Sequence, residues 1–326
     1  MTSFLIRRFV NLIPTFFLAT LLAWIIIDIA PGDFASQFAF DQVDPGKQER
    51  IRELLGLGQP WYIRYFKWLQ NLLFDFDFGT SMVSKGDVTA RVIPRMINSM
   101  WLALPGLILV LAISIPIGVY SAVHKYSWAD RFLTVFSLVG LAIPNFFLAL
   151  VLLGGIVWWF QTFGWFLLPT GGMTSSNYSQ MSTWGKALDL TWHLIFPLIV
   201  IVLSGLAGIT RVMRGQMLET LSQDYIRTAR AKGLSEGKVT YKHTLRNAIL
   251  PIIATIGSAF TTVLLGGGVV EFVVGWPGLT PLFISSVFSQ DVYVQMAILT
   301  IGTVLLMIGN LISDLLLVAT DPRIRY

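Results

Sequence analysis

The stretch DYIRTARAKGLSEGKVTYKHTLRNAILP, residues 224–251, places many charges inside a strongly apolar chain. We call these residues the charged segment. The whole chain of 326 residues is 55% hydrophobic and only 13% charged, with a mean hydropathy of +0.69. That charged fraction is about half of the fraction usual in soluble domains. The question is therefore why an apolar chain keeps a basic, helix-like segment between two apolar runs.

Six apolar runs are long enough to cross a bilayer, for which about 20 residues are needed. They predict an all-α integral membrane protein with six transmembrane helices. The predicted spans lie near residues 9–30, 98–122, 132–160, 192–213, 248–270 and 292–319. The first run is followed by no cleavage site of small residues, so it is interpreted as a retained span rather than a removed signal peptide.

The basic residues of short loops predict the orientation, because such loops are enriched in Lys and Arg on the cytoplasmic side. Residues 161–191 contain only Lys186 as a basic residue, whereas residues 211–246 contain eight basic and three acidic residues. Both termini and the charged segment are therefore predicted to be cytoplasmic. The other basic residues behind this prediction are Arg7, Arg8, Lys125, Arg131, Arg323 and Arg325.

Residues 31–97 form the longest segment outside the spans, with eight basic and eight acidic residues. PGKQERIRELLGLG predicts a short helix that stops at Gly56. A second predicted helix, WYIRYFKWLQNLL, carries aromatic residues on one face, which suits the headgroup level of a membrane. That face consists of Trp61, Tyr65, Trp68, Leu69 and Leu72. We expect a small helical extracytoplasmic cap, which is either a lid over the span ends or a docking surface for an external partner.

The sequence gives no support for metal binding, nucleotide binding, catalysis or nucleic-acid binding. The chain has no cysteine, and its three histidines lie far apart without the spacing of metal ligands. GLSEGK at 233–238 lacks the spacing and the Ser or Thr of a phosphate-binding loop. We therefore expect no metal, no nucleotide and no other cofactor on this chain, no catalytic residue and no binding of nucleic acid.

The fifth predicted span carries the best candidate for a pathway face. Ser258, Thr262 and Gly266 follow one another at i, i+4 and i+8, with Thr261 beside them. Such a stripe can line water, but small residues also favour close helix packing, and both interpretations stay open. Glu271 lies where a pathway would open outward.

Other acidic residues in the spans are few, and they form no chain that could relay protons. Asp28 lies near the outer end of the first span. Asp314 lies in the last span and is expected to pair with an arginine such as Arg211 or Arg214. This scarcity argues against a transporter driven by its own ion coupling.

The charged segment divides into two predicted helices. The first runs over Tyr225–Lys232 and ends at Gly233, which suits a left-handed backbone. In the second, Lys238, Lys242 and Arg246 form a basic stripe that needs lipid phosphate or an acidic partner nearby. A lipid-binding element explains the charge. The small residues of the first helix, Thr228, Ala229 and Ala231, instead favour close approach of another protein.

The charged segment resembles the cytoplasmic coupling motif, the EAA loop, of ABC-transporter permease subunits, and more narrowly their dipeptide and oligopeptide branch. YIRTARAKGLSE and LRNAILP carry this resemblance. Arg227 and Thr228 replace the Glu and Ala of the general motif, while Ala229 and Gly233 stay in register. Further matching stretches are LIRRFVNLIPTFF, LGLGQPWYIRYFKWL with DFGTS, VVEFVVGWPGL and the terminal DPRIRY.

This resemblance implies a permease subunit of an ATP-driven importer in the bacterial inner membrane, for peptides, nickel, glutathione or oligosaccharides. It implies a second homologous permease subunit, two cytoplasmic ATPase subunits that bind ATP and Mg, an extracytoplasmic solute-binding protein and membrane lipid as partners. A self-sufficient channel or ion-coupled secondary transporter is the alternative, and a membrane scaffold without a transport role is a third possibility.

The implied organisation has four parts. Residues 1–30 hold the N-terminus and first span, 31–97 the outer cap, 98–319 the permease domain with a coupling loop at 214–247, and 320–326 the cytoplasmic C-terminus. The residues implied for ATPase docking are Tyr225, Arg227, Thr228, Ala229, Arg230, Ala231, Lys232, Gly233 and Leu234.

Overall fold

The computed structural model of the chain describes residues 2–38, 46–165 and 167–320, and over these residues the fold is all-α. The described part contains no strand, and its only β-type pairing is an isolated bridge between Thr80 and Asp87. The helices are α1 Thr2–Ile29, α2 Lys47–Leu54, α3 Trp61–Asp75, α4 Val88–Val123, α5 Trp128–Ala142, α6 Asn145–Phe163, α7 Thr183–Leu221, α8 Asp224–Ala231, α9 Glu236–Lys238, α10 Leu245–Ala248, α11 Leu250–Gly266, α12 Gly268–Val273, α13 Leu279–Phe288 and α14 Val292–Thr320. Two 3-10 turns, Phe34–Phe38 and Tyr178–Gln180, and one π-helical turn, Val239–Thr244, complete the described elements.

Five of the helices in these ranges are long and apolar enough to cross a membrane, namely α1, α4, α6, α7 and α14. The chain is therefore an all-α membrane protein with several membrane-crossing helices. The predicted fifth span, 248–270, coincides with α11, a shorter apolar helix of 17 residues, and with part of α12.

The predicted third span, 132–160, is divided in the structure into α5 and α6. The break falls at Ile143 and Pro144, and Pro144 has an extended backbone with φ of −58° and ψ of 139°. A proline disfavours the helical conformation of the residue before it, so the sequence itself contains the cause of this break.

The helices belong to two compact units, and each has its own core. The first comprises Met1–Asn98 and Pro277–Leu305. In it, Trp24 of α1 packs against Tyr65 and Trp68 of α3, with ring centroids 5.8 and 5.7 Å apart. Met296 of α14 is fully buried in the same cluster.

A buried polar contact fixes a turn within this first unit. The Ser81 hydroxyl donates to Asp291 Oδ2 at 2.5 Å, and the Met82 amide donates to Oδ1 of the same carboxylate at 3.3 Å. Ser81 and Asp291 are each 1% exposed. Two donors on one buried carboxylate satisfy it, so the turn is held to the segment that precedes α14.

The second unit comprises Ser99–Trp276 and Leu306–Tyr326. One of its clusters joins α7 to α12, with Phe196, Val270 and Trp276 among its buried members. Another cluster packs Met213 and Met217 of α7 against Ala248 and Ile252, where the charged segment enters α11. The charged segment is therefore anchored at its C-terminal end by apolar contacts.

Close backbone contact joins α11 to the second half of α14 inside this unit. A Cβ added at Gly257 would lie 2.2 Å from the carbonyl carbon of Gly309, and the Gly257 amide donates to the Ser313 hydroxyl at 2.7 Å. Only glycine permits backbones to approach so closely, and small residues are the usual means of such packing between membrane helices.

Candidate functional site

The charged segment is a compact substructure that begins shortly after α7. The coupling loop was predicted to start at residue 214, but α7 continues as a helix to Leu221. Residues 214–221 therefore belong to α7 rather than to a loop. The first helix of the segment is α8, and Gly233 follows it with φ of +75°. The Gly233 amide donates to the Arg230 carbonyl at 2.9 Å, which closes the end of α8.

The segment has a small apolar core of its own. Ile226 and Val239 are fully buried, Ala229 is 7% exposed, and Leu234 packs against them. Arg230 donates to both carboxylate oxygens of Glu236, at 2.9 and 3.2 Å. A bidentate pair of this kind fixes the position and the orientation of the two side chains. The turn between α8 and α9 is therefore stabilised by this surface ion pair as well as by the apolar core.

The structure separates the candidate docking residues into two groups. Ala229 and Leu234 belong to the apolar core of the segment. Thr228 and Ala231 lie on the opposite, exposed side of α8 together with Asp224 and Arg227. The exposed members of the predicted set are Tyr225, Arg227, Thr228, Arg230, Ala231, Lys232 and Gly233.

The exposed side of α8 combines small and charged residues. Thr228 donates its hydroxyl to the Asp224 carbonyl at 3.0 Å, so this side chain lies flat on the helix. Arg227 pairs with Asp224 at 3.3 Å with both side chains largely in solvent. Tyr225 is 44% exposed, and its hydroxyl accepts a hydrogen bond from Asn247 Nδ2 at 2.8 Å, which links α8 to the end of the segment.

The second half of the segment contains a π-helical turn that the sequence did not indicate. Thr244 donates its hydroxyl to the Val239 carbonyl at 3.0 Å, five residues back, in keeping with the wider turn. Single π-turns inside helices occur often at functional sites. Lys238, Lys242 and Arg246 are all exposed, and Arg246 donates to the carbonyl of Thr320 at the end of α14.

An ion pair joins α5 to α7, the helix that leads into the charged segment. Arg214 donates to both oxygens of Asp130, at 2.9 and 3.0 Å, and the Tyr126 amide donates to the same carboxylate at 2.9 Å. The hydrogen bonds from Arg214 lower the pKa of the Asp130 carboxyl, against the opposing effect of its burial. The sequence offered Arg214 as a partner for Asp314. In the structure Arg214 instead pairs with Asp130, which lies 84 positions away in the sequence.

The candidate pathway residues of α11 lie on or beside its exposed face. Ser258 and Thr262 are exposed and Thr261 is half-buried, while the surroundings of Gly266, the last residue of α11, fall outside the described side chains. Each of the three hydroxyls donates to a carbonyl of its own helix, at 2.9 to 3.1 Å. The face is thus polar at its surface, and its hydroxyls are satisfied within α11.

The described exposed residues of α11 are all small or polar, in contrast to those of other spans. Between Leu250 and Thr262 they are Pro251, Ala254, Thr255, Ser258 and Thr262. On α6 the exposed residues include Phe146, Phe147, Leu150, Val151 and Trp158. A face that meets lipid tails is apolar and bulky, so the α11 face has the composition of a surface that meets water or another polypeptide.

Glu271 is placed differently from an exposed pathway residue. It lies in α12 at 2% exposure, beside the fully buried Val270 and Trp276. In this structure it is part of the interior of the second unit. Within the described residues, no group of three or more His, Cys, Asp and Glu side chains could hold a metal ion.

The fold and site define a class: a polytopic helical membrane protein with a structured charged segment between two spans. Comparison with known proteins narrows this class. The family described as the binding-protein-dependent transport system inner membrane component matches residues 114–326, and its N-terminal family matches residues 1–92. The chain belongs to this family and is a permease subunit of a binding-protein-dependent transport system.

Two relatives match over their whole length. The chain is 42% identical over 327 residues to the oligopeptide transport system permease protein AppB of Bacillus subtilis, covering 100% of both chains. It is 33% identical over 330 residues to the glutathione transport system permease protein GsiC of Escherichia coli K12, again covering 100% of both. The resemblance drawn from the charged segment and its companion stretches is thereby confirmed.

Proposed function

We propose that this chain forms half of the translocation pathway of an ATP-driven importer for di- or oligopeptides or a related solute. The relatives named for oligopeptides and for glutathione, itself a tripeptide, support this solute class. The second half of the pathway is a homologous permease subunit, and an extracytoplasmic binding protein delivers the solute. ATP and Mg bind to two cytoplasmic ATPase subunits.

The observation that carries the coupling role is the two-sided construction of α8. Its inner side is locked by Ile226, Ala229 and Val239, and its outer side presents Thr228 and Ala231. Because its outer side chains are small, α8 can enter a narrow groove on a partner protein. Because its inner side is packed, the helix is already folded and can transmit movement to the neighbouring spans. The cluster of Met213, Met217, Ala248 and Ile252 connects the segment to α7 and α11.

The proposed topology has six spans with both termini in the cytoplasm and residues 31–97 outside. α11 is about 26 Å long at the usual helical rise, slightly short of a bilayer core of about 30 Å. Its continuation through α12 compensates for the difference. The C-terminal residues 321–326, which make up the stretch DPRIRY, lie outside the described structure.

The proposed pathway face is Ser258, Thr261, Thr262 and Gly266 on α11. Its support is the small, polar composition of the exposed side of that helix. Glu271 would take part only in a state in which α12 moves, since it is buried here.

The coupling proposal is tested by Ala231→Trp with Ala231→Ser as the matched control. Ala231 is exposed, so a tryptophan there leaves the inner core of the segment intact while it blocks a narrow groove. Ala229→Glu would be a poor test because it places a charge in that core. We expect Ala231→Trp to lower ATPase copurification and uptake of labelled tripeptide and glutathione at least ~10-fold, about 1.4 kcal/mol, and Ala231→Ser to retain both.

The outcome that contradicts coupling through α8 is normal uptake by well-expressed Ala231→Trp. Uptake by the purified chain without ATPase subunits, dependent on an ion gradient, would instead favour the self-sufficient transporter.

A further inference from the structure

The first unit contains a cavity at the C-terminal end of α1. Its volume is about 570 Å³, within the range of about 300–1,000 Å³ that is usual for small-molecule sites. The wall is formed by the end of α1 and the turn after it, by residues of α2 and α3, and by the connection from α13 to α14. All of these elements belong to the first unit, so the cavity lies within one compact body.

The wall of the cavity carries charges of both signs. Arg52 donates to Asp33 Oδ2 at 2.9 Å, and Arg64 pairs with Asp28. The four side chains are between 17% and 32% exposed, so bulk water screens them only in part. Their charges sum to zero, and the cavity therefore has no general preference for an anion or a cation.

One of the two ion pairs retains unused hydrogen-bonding atoms. Asp33 is fully engaged, since its Oδ1 also accepts from the Ser36 amide and hydroxyl, at 2.9 and 2.8 Å. Among the described residues, Asp28 accepts only from Arg64 and only through Oδ1, which leaves Oδ2. Arg64 uses Nε for the Gln59 carbonyl and Nη2 for Asp28, which leaves Nη1. This pair can therefore accept a further donor and give a further hydrogen bond.

Gln290 adds a second acceptor to the same wall. Its backbone is left-handed, with φ of +52°, a conformation that glycine adopts more easily. Its Nε2 donates to the Pro31 carbonyl at 3.1 Å, whereas no described residue donates to its Oε1. Gly32 makes room for this side chain, because an added Cβ there would lie 2.5 Å from Gln290 Nε2. Unfavourable backbone conformations of this kind cluster at binding sites.

The rest of the wall is largely apolar, with Ile27, Phe34, Leu57, Val287 and Val292 among its residues. Small-molecule sites usually combine such a wall with a few polar groups that fix the orientation of the ligand. A short peptide has both complementary parts, since its ends are charged and its side chains can be apolar. A sugar offers no charge to the arginines or to the carboxylates.

We propose that this cavity binds a short peptide with free termini. The ammonium group of the peptide binds Asp28 Oδ2 and Gln290 Oε1, and its carboxylate binds the guanidinium groups of Arg52 and Arg64. A ligand with both charges keeps the wall balanced, whereas an anion or a cation alone would leave one charge without a partner. In the proposed topology the cavity lies on the outer side of the membrane. The choice of a peptide over another zwitterion rests on the proposed function.

The test measures binding of trialanine to the full chain assembled with its partner subunits in nanodiscs, without the external binding protein. N-acetyl-trialanine amide is the matched ligand, because it has the same side chains and no charged end. Saturation-transfer NMR gives the Kd of each peptide. We expect the Kd of trialanine to be at least ~10-fold lower, since hydrogen bonds between charged groups form at its ends alone.

Two variants locate the site. Asp28→Asn is expected to raise the Kd of trialanine about 10-fold and Gln290→Ala about 3-fold, with the Kd of the blocked peptide unchanged. Glu53→Gln is the control, because Glu53 is an exposed acid of α2 outside the cavity wall. Copurification of the ATPase subunits checks that each variant assembles.

The proposal is overturned by absence of trialanine binding, by equal affinity for the two peptides, or by Kd values that neither variant changes. An equal loss for both peptides in Asp28→Asn would show a structural role only and would overturn it too. The comparison of the two peptides on the unaltered chain still decides the charge requirement where a variant fails to assemble. ATP-dependent uptake of tripeptide is measured separately. Binding without uptake contradicts the proposed function and supports the cavity site, and uptake without binding contradicts the cavity site alone.

Discussion

Single residues fix how neighbouring helices pack, and Asp130 does so through charge. Its carboxylate receives two hydrogen bonds from Arg214 and one from the Tyr126 amide. The side chain of Asp130 is only 4% exposed and that of Arg214 27%. A buried carboxylate whose partners are lost cannot turn to solvent, so this pair holds α5 to α7.

Asp130→Asn is expected to destabilise the protein by about 1–3 kcal/mol at pH 7, because it removes the charge that the partly buried guanidinium of Arg214 requires. The pKa of Asp130 is lowered in the folded state, mainly by the Arg214 hydrogen bonds. The stabilisation is therefore complete above the unfolded pKa of about 3.9 and is lost as the pH falls through the lower folded pKa. Thermal unfolding of the purified protein over a pH series measures this.

The matched control is Asp224→Asn, which removes the carboxylate of an exposed ion pair with Arg227. The side chains of that pair are 94% and 74% exposed, so a change below ~0.5 kcal/mol is expected. A gap between wild type and Asp130→Asn that stays constant below pH 4 would contradict the assigned role of the charge.

Helices are positioned against one another by the residues at their crossing, as Gly257 and Gly309 show for α11 and α14. No side chain fits at Gly257, since an added Cβ would meet backbone atoms at 2.2 to 2.4 Å. The same crossing leaves Ser258 and Thr262 on the exposed side of α11. Close packing on one side of the helix thus accounts for the exposure of the small, polar residues on the other.

Gly257→Ala is expected to separate α11 from α14 and to destabilise the second unit by about 1–3 kcal/mol, since backbone atoms cannot yield as a flexible side chain can. Gly208→Ala in α7 is the control, because an added Cβ there meets nothing within 4 Å. It should be neutral or stabilise by up to ~1 kcal/mol through helix propensity. Unfolding midpoints of the two variants in the same detergent compare them, and equal midpoints would show that the glycine contact is not a constraint.

At the scale of the whole molecule, the proposed topology puts residues 31–97 outside the cell and the charged segment in the cytoplasm. This topology rests on the basic residues of short loops. The exposed positions Glu53 in α2 and Lys238 in α9 represent the two regions.

Cysteines introduced at these positions provide the topology test. In intact cells with a permeabilised outer envelope, an impermeant thiol reagent is expected to label Glu53→Cys and to leave Lys238→Cys unlabelled. Lysis of the inner membrane should make Lys238→Cys reactive, which controls for its accessibility. Labelling of Lys238→Cys but not Glu53→Cys before lysis would invert the topology.

The sequence by itself determined the membrane class and the family, because both depend on local information. Apolar runs of sufficient length predict helices that cross a bilayer, and the segment from Tyr225 to Leu234 carries its motif in consecutive residues. The local sequence also predicted the turn at Gly233. The cause of the break between α5 and α6, Pro144, is likewise visible in the sequence.

The tertiary structure alone decided which sides of these helices are covered. Periodicity marks Tyr65 and Trp68 as one face of α3, but protein interiors and lipid tails are both apolar, so only packing against Trp24 shows that protein covers it. Ala229 and Ala231 are chemically identical, and only the contact with Val239 places one inside and the other outside. Asp130 and Arg214 are 84 residues apart, and no local pattern pairs two charges that meet only when α5 packs on α7.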